Sequence, residues 1–360
     1  MSKIFRIGDR DVAVTEIRSR LKQIGFSIDS ADAEFFDEKL ADAVMAFQTA
    51  RGLNVDGLVG PLTLQRLEEA RWFLGDRPLS YHPGHMIRGE DVTSLQQRLS
   101  TMGFNPGKID GIFGPQTETA LKEFQTGAGI KADGLAASET FQALKRLVRT
   151  VSGGQAERLR QTLLLDSLRT GIAAKTIVLD PAHGGSDRGF EANGAVESEI
   201  STAIVSKLQG RLSALGATVV LTRPLQQPES PAEFERAVFA NEVAADLVVS
   251  IHCDAATSEA AAGIATMYFG SPGGGWSHAG ERAAKRIHQA LLDATEAEDC
   301  NLHARTWDML RLTRMPAVRV EVGYVSNPTE AARLVDPNYQ EKLAAGLAAG
   351  ITKFFAPSAS

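Results

Sequence analysis

Apolar positions follow one rhythm in the first part of the chain and another in the rest. Up to about residue 148 they fall at helical spacing: Val14, Ile17 and Leu21 share a face, and Val92, Leu95 and Leu99 repeat the pattern. The surrounding sequence repeats as well. "GDRDVAVTEIRSRLKQIGF" (8–26) matches "GEDVTSLQQRLSTMGF" (89–104), and "AFQTARGLNVDG" (46–57) matches "EFQTGAGIKADG" (123–134). Asp-Gly turns at 56–57, 110–111 and 133–134 punctuate the helical stretches. These features predict two small all-α three-helix modules, 5–75 and 84–148, each near the lower size limit for an independent core.

Residues 149–172, opened by Ser152-Gly153-Gly154, read as a linker carrying a short helix. From there the rhythm becomes strand–helix alternation across 173–356. Strands are expected at 176–180, 217–222, 246–252, 263–269 and 317–323, with helices at 197–215, 231–244, 277–295 and 338–355. Continuous apolar strands alternating with helices indicate an α/β three-layer domain with a mostly parallel sheet. The fold class is therefore multidomain: two helical modules followed by an α/β domain.

Composition adds exclusions. The 360 residues are 43% hydrophobic and 23% charged, enough apolar material to give each periodic region a core. A net charge of −6 argues against nucleic acid, which requires a clustered basic face. No apolar run approaches the length of a membrane span. The N-terminal "MSKIFRIGDRDVAVTEI" has no apolar signal segment, so a cytoplasmic chain is expected. Cys253 and Cys300 fit a reducing compartment.

In an open α/β sheet, ligands gather beyond the carboxyl ends of the strands. Four residues are expected there: His183 on a glycine-rich turn after the first strand, Glu197 opening the first long helix, His252 ending "DLVVSIH" and Glu321 in "AVRVEVG". A lone histidine at a strand end is usually structural. Two imidazoles and a carboxylate together supply what a catalytic zinc takes, with a further carboxylate left for acid–base work. Arg305, Arg311 and Arg314 are candidate groove residues for a carboxylate-rich substrate, with ordinary solvated surface as the competing reading. Asn241 is a weaker substrate-binding candidate, and Asp187 and Asn241 read first as loop-holding residues. His278, His288 and His303 show no spacing that joins them to the site. The stretch 270–276, "GSPGGGW", reads as a connection or a lid.

"IVLDPAHGGSDRGFEANGAVESEI", "GATVVLTR", "ERAVFAN", "ADLVVSIHCDA" and "PAVRVEVGYVSNPTE" resemble, in order and spacing, the zinc-dependent N-acetylmuramoyl-L-alanine amidases of the amidase-3 family. The resemblance covers about 175–355. It implies Zn2+ held by His183, Glu197 and His252, with Glu321 as the catalytic glutamate. The implied reaction cuts the amide between the lactyl group of N-acetylmuramic acid and L-alanine of the stem peptide. Three positions depart from the family pattern. Ala182 stands where a glycine is usual, Ser198 where a lysine is common, and Cys253 follows the third histidine. "FQ…GL…DG" and "IDGIFGPQTETAL" resemble the peptidoglycan-binding-like three-helix module, well in the second copy and partly in the first, where "FFDEKLADAV" replaces the usual run.

Two modules before an amidase-like domain, together with "RTWDMLRLTRMPAVRVEVGY", resemble the CwlM-like branch of actinobacterial amidase homologues. That branch implies an alternative role: a cytosolic regulator of peptidoglycan precursor synthesis. Its partner would be a cell-wall biosynthetic enzyme, such as the UDP-N-acetylglucosamine enolpyruvyl transferase. The amidase reading implies peptidoglycan fragments or precursors as partners instead.

Overall fold

The structure is a computed structural model that describes residues 3–26, 28, 32–147, 156–225, 230–271 and 274–357. Ser152-Gly153-Gly154 of the expected linker, and Pro272 and Gly273 of the stretch read as a connection or a lid, lie outside these residues. The chain divides into two compact units, 1–160 with 271–276 and 161–270 with 277–360.

The first unit holds α1 (Val12–Gln23), α2 (Glu38–Arg51), α3 (Pro61–Ala70), α4 (Glu90–Thr101), α5 (Pro115–Gly127) and α6 (Ser138–Leu147). Helix starts are written locally. Asp37 caps α2 through Leu40 N, while α3 and α5 open on Gly-Pro, where proline's missing N–H costs nothing. Two separate cores result. Val14, Ile17, Leu21, Leu40, Phe47 and Leu67 belong to the first; Val92, Leu95, Leu99, Leu121, Phe124 and Leu144 belong to the second.

A buried glutamine closes three of the four helix–loop–helix steps within the two three-helix sets α1–α3 and α4–α6. Gln96 Oε1 accepts Asp110 N (3.1 Å) and Gly111 N (2.9 Å), while Nε2 donates to Asp110 Oδ1, Ile112 O and Thr117 Oγ1, each at 3.1 Å. Gln48 makes the same bonds to Asp56, Gly57, Leu58 and Thr63, and Gln125 bonds Asp133 Oδ1, Gly134 N, Leu135 O and Thr140 in the same way. The Asp-Gly turns of the sequence are thus the loop half of a latch. Each threonine is the third residue of the next helix. In the first step Arg18 takes the glutamine's place and Leu40 the threonine's. Arg18 pairs instead with Asp37 (2.8 Å) and donates to Phe35 O (2.7 Å). This is where the first copy departs from the repeat.

Helix α7 (Ala156–Leu168) leads into a six-stranded sheet. Its strands are β1 (Thr176–Pro181), β4 (Thr218–Leu221), β5 (Leu247–Asp254), β6 (Ile264–Phe269), β7 (Asp299–Arg305) and β8 (Ala317–Tyr324), in the order β4-β1-β5-β8-β6-β7. The neighbours β4, β1, β5 and β8 run parallel, β6 runs against β8, and β7 follows β6. Helix α13 (Pro337–Phe355) packs against both α8 (Glu197–Ala214) and α10 (His278–Thr295). The helices α9 (Glu233–Glu242) and α11 (Asp308–Leu312) form a second packed pair, and α12 (Pro328–Leu334) follows β8. The expected three-layer α/β architecture is what the chain adopts.

Three features differ from the sequence reading. The stretch holding His303, where the sequence predicts no strand, is the edge strand β7, whose polar composition hid it. The glycine-rich loop after His183 contains a hairpin, β2 (Glu191–Ala192) with β3 (Ala195–Val196). The sheet also reverses direction at β6, a property that no periodicity encodes.

Candidate metal centre

Because β1, β5 and β8 are parallel, their ends share one rim. Asp180, Ser250 and Arg319 form one cross-strand row, and His252 and Glu321 are paired two residues further along, on the same face. The row is pinned from below. Asp180, fully buried, accepts Thr222 Oγ1 (2.6 Å) and Ser250 Oγ (2.5 Å) and pairs with Arg236 (2.6 Å). Burial alone would raise its pKa, but Arg236 and the hydroxyls hold the carboxyl below its ordinary value.

Above this floor three donors converge. His183 follows β1, Glu197 is the first residue of α8 and His252 lies in β5. Among the described residues, this is the one group of three or more His, Cys, Asp or Glu whose donor atoms all lie within 4.8 Å of one another. Glu197 Oε2 lies 3.3 Å from His183 Nε2, and its Oε1 lies 2.9 Å from His252 Nδ1. The same carboxylate accepts Phe190 N (3.0 Å) and Cys253 N (3.2 Å), which fix its plane. The outer nitrogen of His183 faces Asp187 Oδ2 at 2.7 Å.

The charge states suit a cation. Burial opposes ionisation of Glu197, yet the two imidazoles hold it far below the usual carboxylate range. Burial, helped by the nearby Arg319 charge, pushes His252 down to about 3, so its ring is neutral and able to ligate. His183 is raised, because Glu197 and Asp187 outweigh burial. The donor set is two imidazoles and one carboxylate, the chemistry of a catalytic zinc site with room for a fourth ligand. By donor type and convergence, the residues fit zinc.

Close packing explains the glycines of this loop. Gly189 has φ +69°, and a Cβ there would lie 2.5 Å from Glu197 Oε2 and 2.7 Å from His183 Cδ2. The departure at Ala182 costs nothing. Positive φ falls instead on His183 (56°), and Ala182 is buried without it. Cys253 is buried in the core, where burial pushes its thiol well up, and it stands outside the donor group.

Glu321 is 2% exposed, and burial pushes it up to about 7 against the opposing pull of Arg319. The remaining candidates lie elsewhere. Arg305 ends β7, opposite Phe269 and so level with the start of β8, four residues from Glu321. Asn241 accepts Arg314 N (2.8 Å) and donates to Leu312 O (2.9 Å), which makes it a brace for the segment before β8. Arg311 is buried and Arg314 exposed. His288 is held between Thr266 (2.9 Å) and Asp299 (2.8 Å), His303 faces Cys300 O (2.7 Å), and His278 is exposed. Sequence reasoning passed over Arg319, although Arg-x-Glu on one strand places both side chains on one face.

Residues 177–353 match the N-acetylmuramoyl-L-alanine amidase family, and residues 10–67 and 88–144 match the peptidoglycan binding domain family. The chain is 40% identical to the N-acetylmuramoyl-L-alanine amidase CwlM of Mycobacterium tuberculosis, over 98% of this chain and 89% of that protein. The chain belongs to the N-acetylmuramoyl-L-alanine amidase family. Amidases of this family are hydrolases. A further relative is the germination-specific N-acetylmuramoyl-L-alanine amidase of Bacillus subtilis, 30% identical over 51% of this chain and 81% of that protein. The catalytic domain of the amidase CwlV from Paenibacillus polymyxa aligns with 50% of this chain and 97% of its own, at 31% identity and a TM-score of 0.46. Among the described residues, no helix is long and apolar enough to cross a membrane.

Proposed function

We propose that this amidase uses zinc to hydrolyse the amide joining the lactyl group of N-acetylmuramic acid to L-alanine of the peptidoglycan stem peptide. The observation that carries the reading is the convergence of His183, Glu197 and His252 beside Glu321, the register partner of His252. His183, Glu197 and His252 would hold the metal. When bound, zinc supplies a Lewis acid that polarises the scissile carbonyl and makes water acidic enough to attack near neutral pH. Glu321 takes a proton from the attacking water and delivers it to the departing nitrogen. The C–O bond forms as water adds to the carbonyl carbon, and the C–N bond breaks afterwards, once the nitrogen has received the proton. Under this reading the modules at 5–75 and 84–148 and the linker at 149–172 deliver peptidoglycan fragments or precursors to the domain at 173–356.

A defined N-acetylmuramoyl peptide, mass-spectrometric detection of free stem peptide and zinc-loaded protein beside Glu321→Ala test this. The expected result is one zinc per chain and cleavage by the wild type alone. Absence of cleavage despite bound zinc and an intact fold would overturn the catalytic reading and leave a role through partners.

A further inference from the structure

Glu321 is held in an unequal way. Arg319, two residues earlier on β8, directs both Nε and Nη2 at a single oxygen, Oε1, each at 2.7 Å. The other oxygen, Oε2, is buried and has no hydrogen-bond partner. Arginine and a carboxylate ordinarily meet fork to fork, one donor per oxygen. Here the fork closes on one oxygen, and the second is left bare in a place where a bare acceptor costs stability. Packing alone does not favour that arrangement.

The guanidinium has its own support. It lies 4.4 Å from the centre of the Trp307 ring, and Trp307 is itself 8% exposed. Trp307 caps α11, whose next turn is tied to α9 by Met309 N donating to Glu233 Oε1 (3.0 Å). Arg319 feels the carboxylates of Glu321, Glu233 and Glu197, so its charge is compensated from three elements. A planar cation stacked on one side and hydrogen-bonded at its edge has little freedom to turn.

We propose that Arg319, supported by the face of Trp307, is a positioning residue that fixes Glu321 with Oε2 as its one working oxygen. The inference rests on the reading of Glu321 as the acid–base group. In that reaction the proton arrives on Oε2 and leaves from Oε2 to the amine nitrogen, while Oε1 stays bound to Arg319 throughout. The carboxylate does not rotate between the two transfers. Arg319 touches neither substrate nor metal in this scheme; it acts through Glu321.

The test compares zinc-loaded wild type with Arg319→Met, Arg319→Lys, Trp307→Leu and Glu321→Gln on a soluble muramoyl peptide. Zinc content and melting temperature are measured on the same samples. Arg319→Met should lower kcat about 100-fold, the scale of a misplaced catalytic group, with KM little changed and zinc retained. Arg319→Lys, which keeps a charge but loses the fork and the stack, should restore part of that loss. Wild-type kcat in Arg319→Met beside an inactive Glu321→Gln would overturn the proposal and leave the acid–base reading intact. Wild-type kcat in Glu321→Gln would overturn the reading of Glu321 and the proposal with it. If Arg319→Met fails to fold, Arg319→Lys and Trp307→Leu decide: wild-type kcat in both overturns the assignment, and a kcat loss in both at unchanged KM supports it.

Discussion

His183 Nδ1 lies 2.7 Å from Oδ2 of Asp187, so the carboxylate holds a proton on that nitrogen and leaves Nε2 turned toward Glu197. The other oxygen of Asp187 accepts Gly189 N at 3.1 Å, which ties the pair to the loop. Partners of this kind set the tautomer and raise the basicity of a ligating imidazole. Asp187→Asn should weaken zinc binding by about 10–100-fold. Its side chain is largely exposed, so thermal stability of the metal-free protein should barely move. Chelator competition and a melting curve check the two halves.

Asp180 stands beneath the site and touches no donor in the metal group. Its pairing with Arg236 is buried on both sides. Removing one partner strands the other charge, and Asp180→Ala should cost about 3–5 kcal/mol of stability. Denaturant unfolding followed by circular dichroism gives the value. An effect below about 1 kcal/mol would show that the row of Asp180, Ser250 and Arg319 is held by packing alone.

Glu321 keeps its proton to about 7 because burial disfavours the carboxylate. The folded chain therefore binds that proton more tightly than the unfolded chain. The associated stability is complete below about pH 4.5 and is lost as pH rises through about 7. Metal-free protein should weaken across that window, and Glu321→Gln should flatten the slope, as read from denaturant midpoints. Hydrolysis runs the other way. The base must be ionised, so kcat/KM should climb with pH as Glu321 loses its proton.

Gly189→Ala forces a side chain against two of the proposed ligands at a backbone angle that favours glycine. Zinc content should fall well below one per chain while the helical circular dichroism signal stays. Gln96→Ala is the complementary case. It leaves the N–H groups of Asp110 and Gly111 without their acceptor and should destabilise the first unit by roughly 2–3 kcal/mol without altering zinc content.

The two rhythms of apolar residues carry most of this architecture, because they report burial, and burial is what helices and central strands share. The three proposed metal donors stood out in the sequence for a related reason. His183, Glu197 and His252 each sit where an apolar run stops or a helix starts, and parallel strands end at one rim. What stayed hidden depended on pairing. The strand β7 is half exposed and reads "DCNLHAR", with little of the apolar character that marks a strand. The reversal at β6 depends on which neighbour it joins, and that moves Arg305 to the level of the other end of β8. Arg319 was concealed inside "AVRVEVG", where an arginine among valines looks like an ordinary outward-facing residue until Trp307 covers it.

The glutamine latches have a consequence for how the chain is made. They join residues 8 to 21 positions apart, so the helix–loop–helix steps they close within residues 38–147 can form almost as they leave the ribosome. The sheet cannot do likewise. Its strand β8 lies between β5 and β6, yet it is the last strand synthesised. The three proposed donors are all synthesised by residue 252 and must wait for residues 317–324 before the sheet beneath them is continuous. During that interval a finished helical unit is tethered to an open sheet edge, which makes this the period when aggregation, or capture by a chaperone, competes most strongly with folding.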